Sequence, residues 1–173
     1  VYANMLYNGD GIEINKREAA QYFKIAADKG NSNFMYKYAV MLYEGDGIEI
    51  NKREAAEYFK MASNKGHIKS IIIFARMLSE GNIVLKNKEE AARLYKVAAD
   101  KGNVESMREY ANMLYKGDGI EMNKKEATRY YKLAADKNDP ESMIKYAKIL
   151  SESNSIQQNK QKSSRDFKIY SNQ

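Results

Sequence analysis

Two residues in this sequence have a spacing that could support nucleophilic catalysis. Ser142 and Lys145 form a Ser-x-x-Lys pattern, in which the lysine activates the serine in penicillin-recognising enzymes. The Lys-Thr-Gly motif that accompanies this pattern is absent from the chain. Ser142 also occupies the position of Ser70 and Ser106 in a 36-residue period, which indicates a small core residue. We therefore predict no catalytic residue and no enzymatic activity.

Metal and cofactor chemistry has equally little support in the sequence. The chain has no Cys and one His, and His67 has no acidic neighbour at ligand spacing. The aspartates of three Gly-Asp-Gly segments lack the alternating oxygen ligands of a calcium loop and are interpreted as turn residues. We expect no metal and no cofactor. These aspartates are Asp10, Asp46 and Asp118.

Abundant Tyr and Lys could form a nucleic-acid surface, because aromatic rings stack on bases and lysines contact phosphates. The net charge is +6, but half of this excess lies in 153–173 and half in 67–102, so no basic stripe follows the chain. Twelve of the 14 Tyr recur at fixed positions of the 36-residue period, as packing would require. Both observations argue against a nucleic-acid partner.

The recurrence itself is the dominant feature of the chain. Tyr38-Ala39-Val40-Met41-Leu42-Tyr43 returns in variant form at intervals of 36 residues, beginning at residues 2, 74, 110 and 146. A fixed period of this length indicates stacked units, each too small to bury its own apolar face. Such arrays usually present binding surfaces to other molecules.

Each unit encodes two amphipathic helices. In 31–66, apolar residues follow three- and four-residue spacing on both sides of a glycine-containing break. Asn and Glu three residues apart predict a reciprocal capping box at each second helix: Asn15 and Glu18, Asn51 and Glu54, Asn87 and Glu90, and Asn123 and Glu126. The first helices are predicted to begin after Asn31, His67, Asn103 and Asp139, and left-handed residues are predicted at Gly30, Gly66, Gly102 and Asn138.

These motifs carry a family resemblance. The segment Glu-Ala-Ala-x-Tyr-Phe-Lys-x-Ala-Ala-Asp-Lys-Gly, from Glu18 to Gly30, resembles the Sel1-like repeat, a relative of the tetratricopeptide repeat. The predicted fold is all-α, a right-handed α-solenoid of helix-loop-helix repeats with a 36-residue period. The resemblance implies a non-enzymatic adaptor for protein partners, with an endoplasmic reticulum ubiquitin-ligase assembly as one setting. A purely architectural, self-associating array is the alternative.

We expect one repeat array over the whole chain, in which 1–30 is a truncated repeat and the sequence is a piece of a longer array. Residues 31–66, 67–102 and 103–138 are predicted to be complete repeats. The last segment, 139–173, has lost the capping box and the loop glycines, and is predicted to be a degenerate repeat or a cap.

The predicted partner surface lies on the first helices, which the resemblance places on the concave side. Its residues are those that change chemistry from one repeat to the next, and Ile71, Ile72 and Ile73 suggest that one isoleucine is left exposed. The candidate protein-binding residues are Tyr36, Lys37, Val40, Ile72, Ile73, Arg76, Arg108, Glu109, Asn112, Ile144, Lys145 and Lys148.

The sequence also favours one cellular location. No apolar run reaches the roughly 20 residues that a membrane-spanning helix needs. The lack of Cys and of an Asn-x-Ser/Thr sequon favours a reducing, cytoplasmic compartment, with association at the endoplasmic reticulum as the other option.

Overall fold

The computed structural model describes residues 1–154, and within them the only regular secondary structure is α-helix. Eight helices form four pairs, and a ninth, α9, occupies residues 140–154. The paired helices are α1 (Tyr2–Asn8), α2 (Lys16–Asp28), α3 (Ser32–Glu44), α4 (Lys52–Asn64), α5 (Ile68–Glu80), α6 (Lys88–Asp100), α7 (Val104–Lys116) and α8 (Lys124–Ala135).

The chain divides into two compact units, Val1–Lys101 and Gly102–Gln173. In the first unit each helix packs on the next one in sequence, from α1 through to α6. In the second unit α7 packs on α8. Packing between sequential neighbours is the arrangement that stacked repeats require, because each helix pair buries its apolar face only against the next pair.

Buried alanines bring the helices of each unit together. The Ala-Ala steps at the start of α2, α4 and α6, and the single Ala127 of α8, are at most 2% exposed. A large ring one turn further on fills the space between neighbouring helices, and Phe23, Phe59, Tyr95 and Tyr131 are all at most 4% exposed at this position. The small alanines allow the helix backbones to approach closely, and the rings occupy the space beside them.

The second helices begin at Asn residues, as predicted. Their side-chain oxygens accept hydrogen bonds from the Glu backbone N–H three residues later, at 3.0–3.2 Å. The second hydrogen bond of the predicted capping box, from the Asn backbone N–H to the Glu side chain, is not formed in these four helices, so this part of the prediction is wrong. The Asn backbone N–H instead donates to a Leu carbonyl in the preceding helix, at 2.8–2.9 Å, so the Glu carboxylate is not needed there. The four Leu carbonyls belong to Leu6, Leu42, Leu78 and Leu114.

The predicted caps of the first helices are confirmed. Asn31, His67 and Asn103 accept hydrogen bonds from backbone N–H groups of the first turn, and Asp139 does the same for Ser142. The predicted left-handed residues have positive φ, including Asn138 at 65°, where Asn replaces Gly without a severe steric penalty. The predictions for the capping box of the last unit concern residues outside those described.

Candidate protein-binding site

The twelve predicted partner residues lie on four first helices, α3, α5, α7 and α9. Most are half-buried, whereas Arg76, Ile144 and Lys148 are exposed. Ile72 is only 8% exposed, so it belongs to the core and not to an accessible patch. Helix α5 buries both Ile71 and Ile72 against its neighbours and leaves Ile73 half-buried.

Four of these residues converge on one groove between α3 and α5, here called the α3–α5 groove. Its volume is about 220 Å³, and its predicted members are Tyr36, Val40, Ile73 and Arg76. The groove also contains residues that are not among the predicted partner residues. These additional lining residues are Tyr43, Glu44, Phe59, Met77, Glu80 and Ile83.

A second groove, the α7–α9 groove, forms at the equivalent position of the second unit, with a volume of about 210 Å³. Each of its lining residues lies 72 residues, or two periods, after a lining residue of the α3–α5 groove. They are Asn112, Tyr115, Lys116, Tyr131, Lys145, Lys148 and Ile149, which correspond in order to Val40, Tyr43, Glu44, Phe59, Ile73, Arg76 and Met77. One architecture therefore presents two different chemistries.

Part of the difference arises from a pair of positions 33 residues apart. Lys145 Nζ donates to Asn112 Oδ1 at 2.7 Å, and Lys37 donates to Asn4 at the same two positions of an earlier repeat. In the α3–α5 groove, Val40 and Ile73 take these positions. A polar pair bridges neighbouring first helices, whereas the aliphatic pair leaves an apolar wall, so the variation in these columns is pairwise.

Arg108 and Glu109 belong to an ionic cluster outside the α7–α9 groove. The Arg108 guanidinium lies 2.7 Å from Asp139, 3.3 Å from Glu141 and 3.4 Å from Glu109. Burial raises the pKa of Asp139, but hydrogen bonds from Ser142 and Arg108 and the Arg108 charge outweigh it and hold the pKa below its ordinary value. The cluster ties α7 to the start of α9.

The Ser-x-x-Lys pattern does not form a catalytic pair. Ser142 is fully buried, with its backbone N–H donating to Asp139 Oδ2 at 3.0 Å. Lys145 is directed to Asn112 and to Glu141 Oε1, the latter at 2.6 Å. The described residues contain no group of three or more His, Cys, Asp or Glu side chains that could hold a metal ion.

Asp46, predicted to be only a turn residue, also binds two side chains of the preceding repeat. Its carboxylate accepts a hydrogen bond from the Tyr7 hydroxyl at 2.7 Å and pairs with Lys16 at 2.6 Å, so the loop after α3 is attached to α1 and α2. Sequence spacing within the loop could not reveal these partners, because both lie one repeat earlier.

Lysines at one recurrent position of three second helices are paired with carboxylates. Lys24, Lys96 and Lys132 each bind the Asp four residues later, at 3.0, 2.6 and 2.7 Å. Many of the recurrent tyrosines are buried, among them Tyr58, Tyr95 and Tyr130 at 7% exposure or less. Their rings pack in the core and are not displayed as platforms for bases.

Stacked helix pairs with grooves between successive first helices define a helical repeat scaffold of the α-solenoid class. The Sel1 repeat model matches residues 2–31, 32–67, 75–103 and 104–139. The chain belongs to the Sel1 repeat family, and the predicted resemblance and fold class are confirmed. Proteins of this family generally act as non-enzymatic scaffolds for protein–protein interaction.

Solved structures show the same fold. A protective antigen of uropathogenic Escherichia coli with an SLR fold is 26% identical, with a TM-score of 0.78 over 86% of this chain and 32% of that chain. A Sel1 repeat protein from Oxalobacter formigenes is also 26% identical, with a TM-score of 0.80 over 85% of this chain and 60% of that chain. The chain therefore spans about a third of the first protein and 60% of the second.

A more distant structure agrees in fold alone. Helicobacter pylori cysteine rich protein B is 18% identical, with a TM-score of 0.57 over 75% of this chain and 93% of that chain. No curated protein matches the sequence. Among the described residues, none of the helices has the length and apolar character required to cross a membrane.

Proposed function

We propose that this chain is a protein-interaction scaffold that binds a peptide segment of its partner in the α3–α5 groove. The observation that carries the proposal is the convergence of Tyr36, Val40, Ile73 and Arg76 on one groove of about 220 Å³. These positions change chemistry between repeats, whereas the core positions beside them change little.

The chemistry of the groove favours an apolar side chain with a polar flank. Val40, Ile73 and Met77 form aliphatic walls, and Phe59 is buried beneath them with the Tyr36 ring 6.1 Å away. Charged groups of both signs, on Glu44, Glu80 and Arg76, lie at its edge. Apolar anchors surrounded by polar groups are the arrangement of interaction hot spots.

The size of the groove favours a peptide over a cofactor. Pockets for drug-sized ligands usually enclose roughly 300–1,000 Å³. A volume of about 220 Å³ is smaller and suits one large side chain or two small ones. A partner that inserts one anchor residue here and contacts the neighbouring first helices would use the array as a repeat scaffold does.

The sequence of α5 gives further support. The family match to the third repeat begins at residue 75, whereas the match to the second begins at the start of α3, at residue 32. The first half of α5, with its three consecutive isoleucines, therefore departs from the family pattern at the wall of the groove. This is the local divergence that a specific partner site would need.

A double substitution provides the test. Val40→Asn with Ile73→Lys installs the residues found at 112 and 145, where they form a 2.7 Å hydrogen bond, so the fold should be retained. A random dodecapeptide library displayed on phage is selected on the wild type and on this variant. We expect peptides with Leu, Ile, Met or Phe anchors to bind the wild type at least about tenfold better.

The matched control is Ile25→Lys, which changes an Ile that is 52% exposed on α2, outside the groove. This substitution should leave the binding of the selected peptides unchanged. If the selected peptides bind the double variant as well as the wild type, the α3–α5 groove is not the site. If size-exclusion chromatography with light scattering shows a dimer that the double variant abolishes, the groove serves self-association and the architectural alternative holds.

An assembly of the endoplasmic reticulum quality-control type is one setting for such a scaffold, and this proposal rests on the family resemblance. Proximity labelling in the native cell, with the Val40→Asn and Ile73→Lys variant as reference, tests it. Groove-dependent labelling of ubiquitin-ligase subunits is the expected result, and groove-dependent labelling confined to other proteins would refute it.

A further inference from the structure

We infer that the α7–α9 groove binds an acidic peptide segment, with an apolar side chain in the groove and a neighbouring Asp or Glu on its lysines. The inference extends the proposed function to the second unit. At matching positions Glu44, Ile73 and Arg76 are exchanged for Lys116, Lys145 and Lys148. The lining therefore carries three lysines and no carboxylate, whereas the α3–α5 groove carries two glutamates and one arginine.

Two carboxylates of this unit, on Glu109 and Glu141, take part in ion pairs beside the groove. Glu141 pairs with Lys145 at 2.6 Å and with Arg108 at 3.3 Å, and Glu109 lies 3.4 Å from Arg108. Neither glutamate lines the groove. Within residues 102–154 no ion pair to Lys116 or Lys148 is seen, and both side chains are exposed. Their charges are therefore directed toward solvent at the groove edge, where they complement an acidic partner.

The apolar part of the groove identifies the class of partner. Tyr115, Tyr131 and Ile149 line a volume of about 210 Å³, which admits a side chain. Tyr131 is only 2% exposed, and its hydroxyl donates to Asn112 Oδ1 at 2.8 Å. Lys124 Nζ lies 5.3 Å from the centroid of the Tyr115 ring. Base stacking needs an open ring face, so a buried Tyr131 favours a peptide over single-stranded nucleic acid.

The test uses the same dodecapeptide library on the whole chain. We expect a second class of selected peptides in which Asp or Glu flanks an aliphatic or aromatic residue. The double substitution Lys116→Glu with Lys148→Gln places at position 116 the residue type of the corresponding Glu44. It should weaken the binding of these peptides at least about tenfold. Replacing their Asp and Glu by Asn and Gln should have the same effect. Lys137→Glu, an exposed charge outside the groove, should change their binding less than about twofold.

The inference is overturned if no acidic class is enriched, if the neutral isosteres bind equally well, or if a fluorescent 15-nucleotide oligothymidylate binds and displaces the acidic peptides. The proposals for the two grooves can be refuted independently of each other. Peptides of the α3–α5 groove should be lost in Val40→Asn with Ile73→Lys and retained in Lys116→Glu with Lys148→Gln. Loss of the acidic class alone removes this inference and leaves the proposed function standing.

Discussion

The Tyr7 hydroxyl donates a hydrogen bond to Asp46 Oδ2 at 2.7 Å across 39 residues of sequence. Lys16 binds the other carboxylate oxygen at 2.6 Å. The bond to Asp46, followed by burial, raises the pKa of Tyr7 to about 12. One aspartate thereby joins the loop after α3 to both helices of the preceding pair, and this contact contributes to the order of the stack.

Asp46→Asn should destabilise the fold by about 0.5–1 kcal/mol, a small value because the Lys16 and Asp46 side chains remain partly exposed. Hydrogen bonds from Lys16 and Tyr7 lower the pKa of Asp46 and outweigh the opposing effect of burial. The stabilisation is therefore present above the unfolded pKa of 3.8 and is lost as the pH falls through the lower folded value. Urea unfolding of both proteins at several pH values measures it.

The matched control for this prediction is Asp10→Asn. Asp10 occupies the same loop position one repeat earlier but accepts its side-chain hydrogen bond from Asn8, at 3.1 Å on the surface. Its substitution should leave stability nearly unchanged. Equal losses in the two variants, or a loss in Asp46→Asn that persists at acidic pH, would show that the bridge to α1 and α2 contributes nothing.

His67 should make stability depend on pH near neutrality. Its Nδ1 accepts the Ser70 backbone N–H at 3.3 Å, so the capping ring is neutral. Burial and the Lys69 charge lower its pKa from the ordinary 6.5. As the pH falls, the imidazole is therefore protonated in the unfolded state before it is protonated in the folded state. The stabilisation is fully present above the unfolded pKa and is lost as the pH falls from that value toward the lower folded pKa.

The variant His67→Asn tests this dependence, because Asn31 and Asn103 perform the same capping in neighbouring repeats. Urea midpoints are measured from about pH 7.5 to about pH 5.5, above the range in which carboxylates titrate. The wild type should lose up to about 1 kcal/mol relative to the variant, the usual contribution of a cap. Parallel pH profiles of the two proteins would rule out the His67 effect.

Local features of the fold could be read from the sequence, whereas pairing between repeats could not. The caps at Asn15 and Asp139 depend on residues three positions away, so spacing alone predicts them. The Asn112–Lys145 bond depends on which faces of α7 and α9 meet, and the period does not specify that face. The capping box failed for the same reason, since the Asn backbone N–H finds its acceptor in the preceding helix.

The candidate grooves show the same limit. The sequence identified Val40 and Ile73 as variable positions, but the structure was needed to show that Phe59 and Met77 complete the groove. Both are apolar residues at recurrent positions and are indistinguishable by pattern from the rest of the core. Their correspondence to Tyr131 and Ile149 becomes visible only when the two grooves are compared position by position.

Ser106→Ala should stabilise the protein by about 1 kcal/mol. The Ser106 side chain is fully buried on α7, and its hydroxyl has no hydrogen-bond partner. An unpaired buried hydroxyl costs free energy that the smaller methyl group avoids. Ser70→Ala at the same repeat position is the control, because the Ser70 hydroxyl lies 2.9 Å from His67 Nδ1 and should not be improved by removal. Urea midpoints that rise equally would contradict the role of the unpaired hydroxyl.

Substitutions of the adjacent isoleucines Ile72 and Ile73 of α5 should differ in their effects on stability and on peptide binding. Ile72 is 8% exposed, so Ile72→Ala leaves a cavity in the core and should cost about 2–4 kcal/mol. Ile73 is half-buried at the wall of the α3–α5 groove, so Ile73→Ala should cost less than about 1.5 kcal/mol yet weaken the peptides selected on that groove. Urea unfolding and peptide titration of both variants measure the two effects. A larger stability loss for Ile73→Ala than for Ile72→Ala would reverse the assignment of core and groove and remove the proposed site.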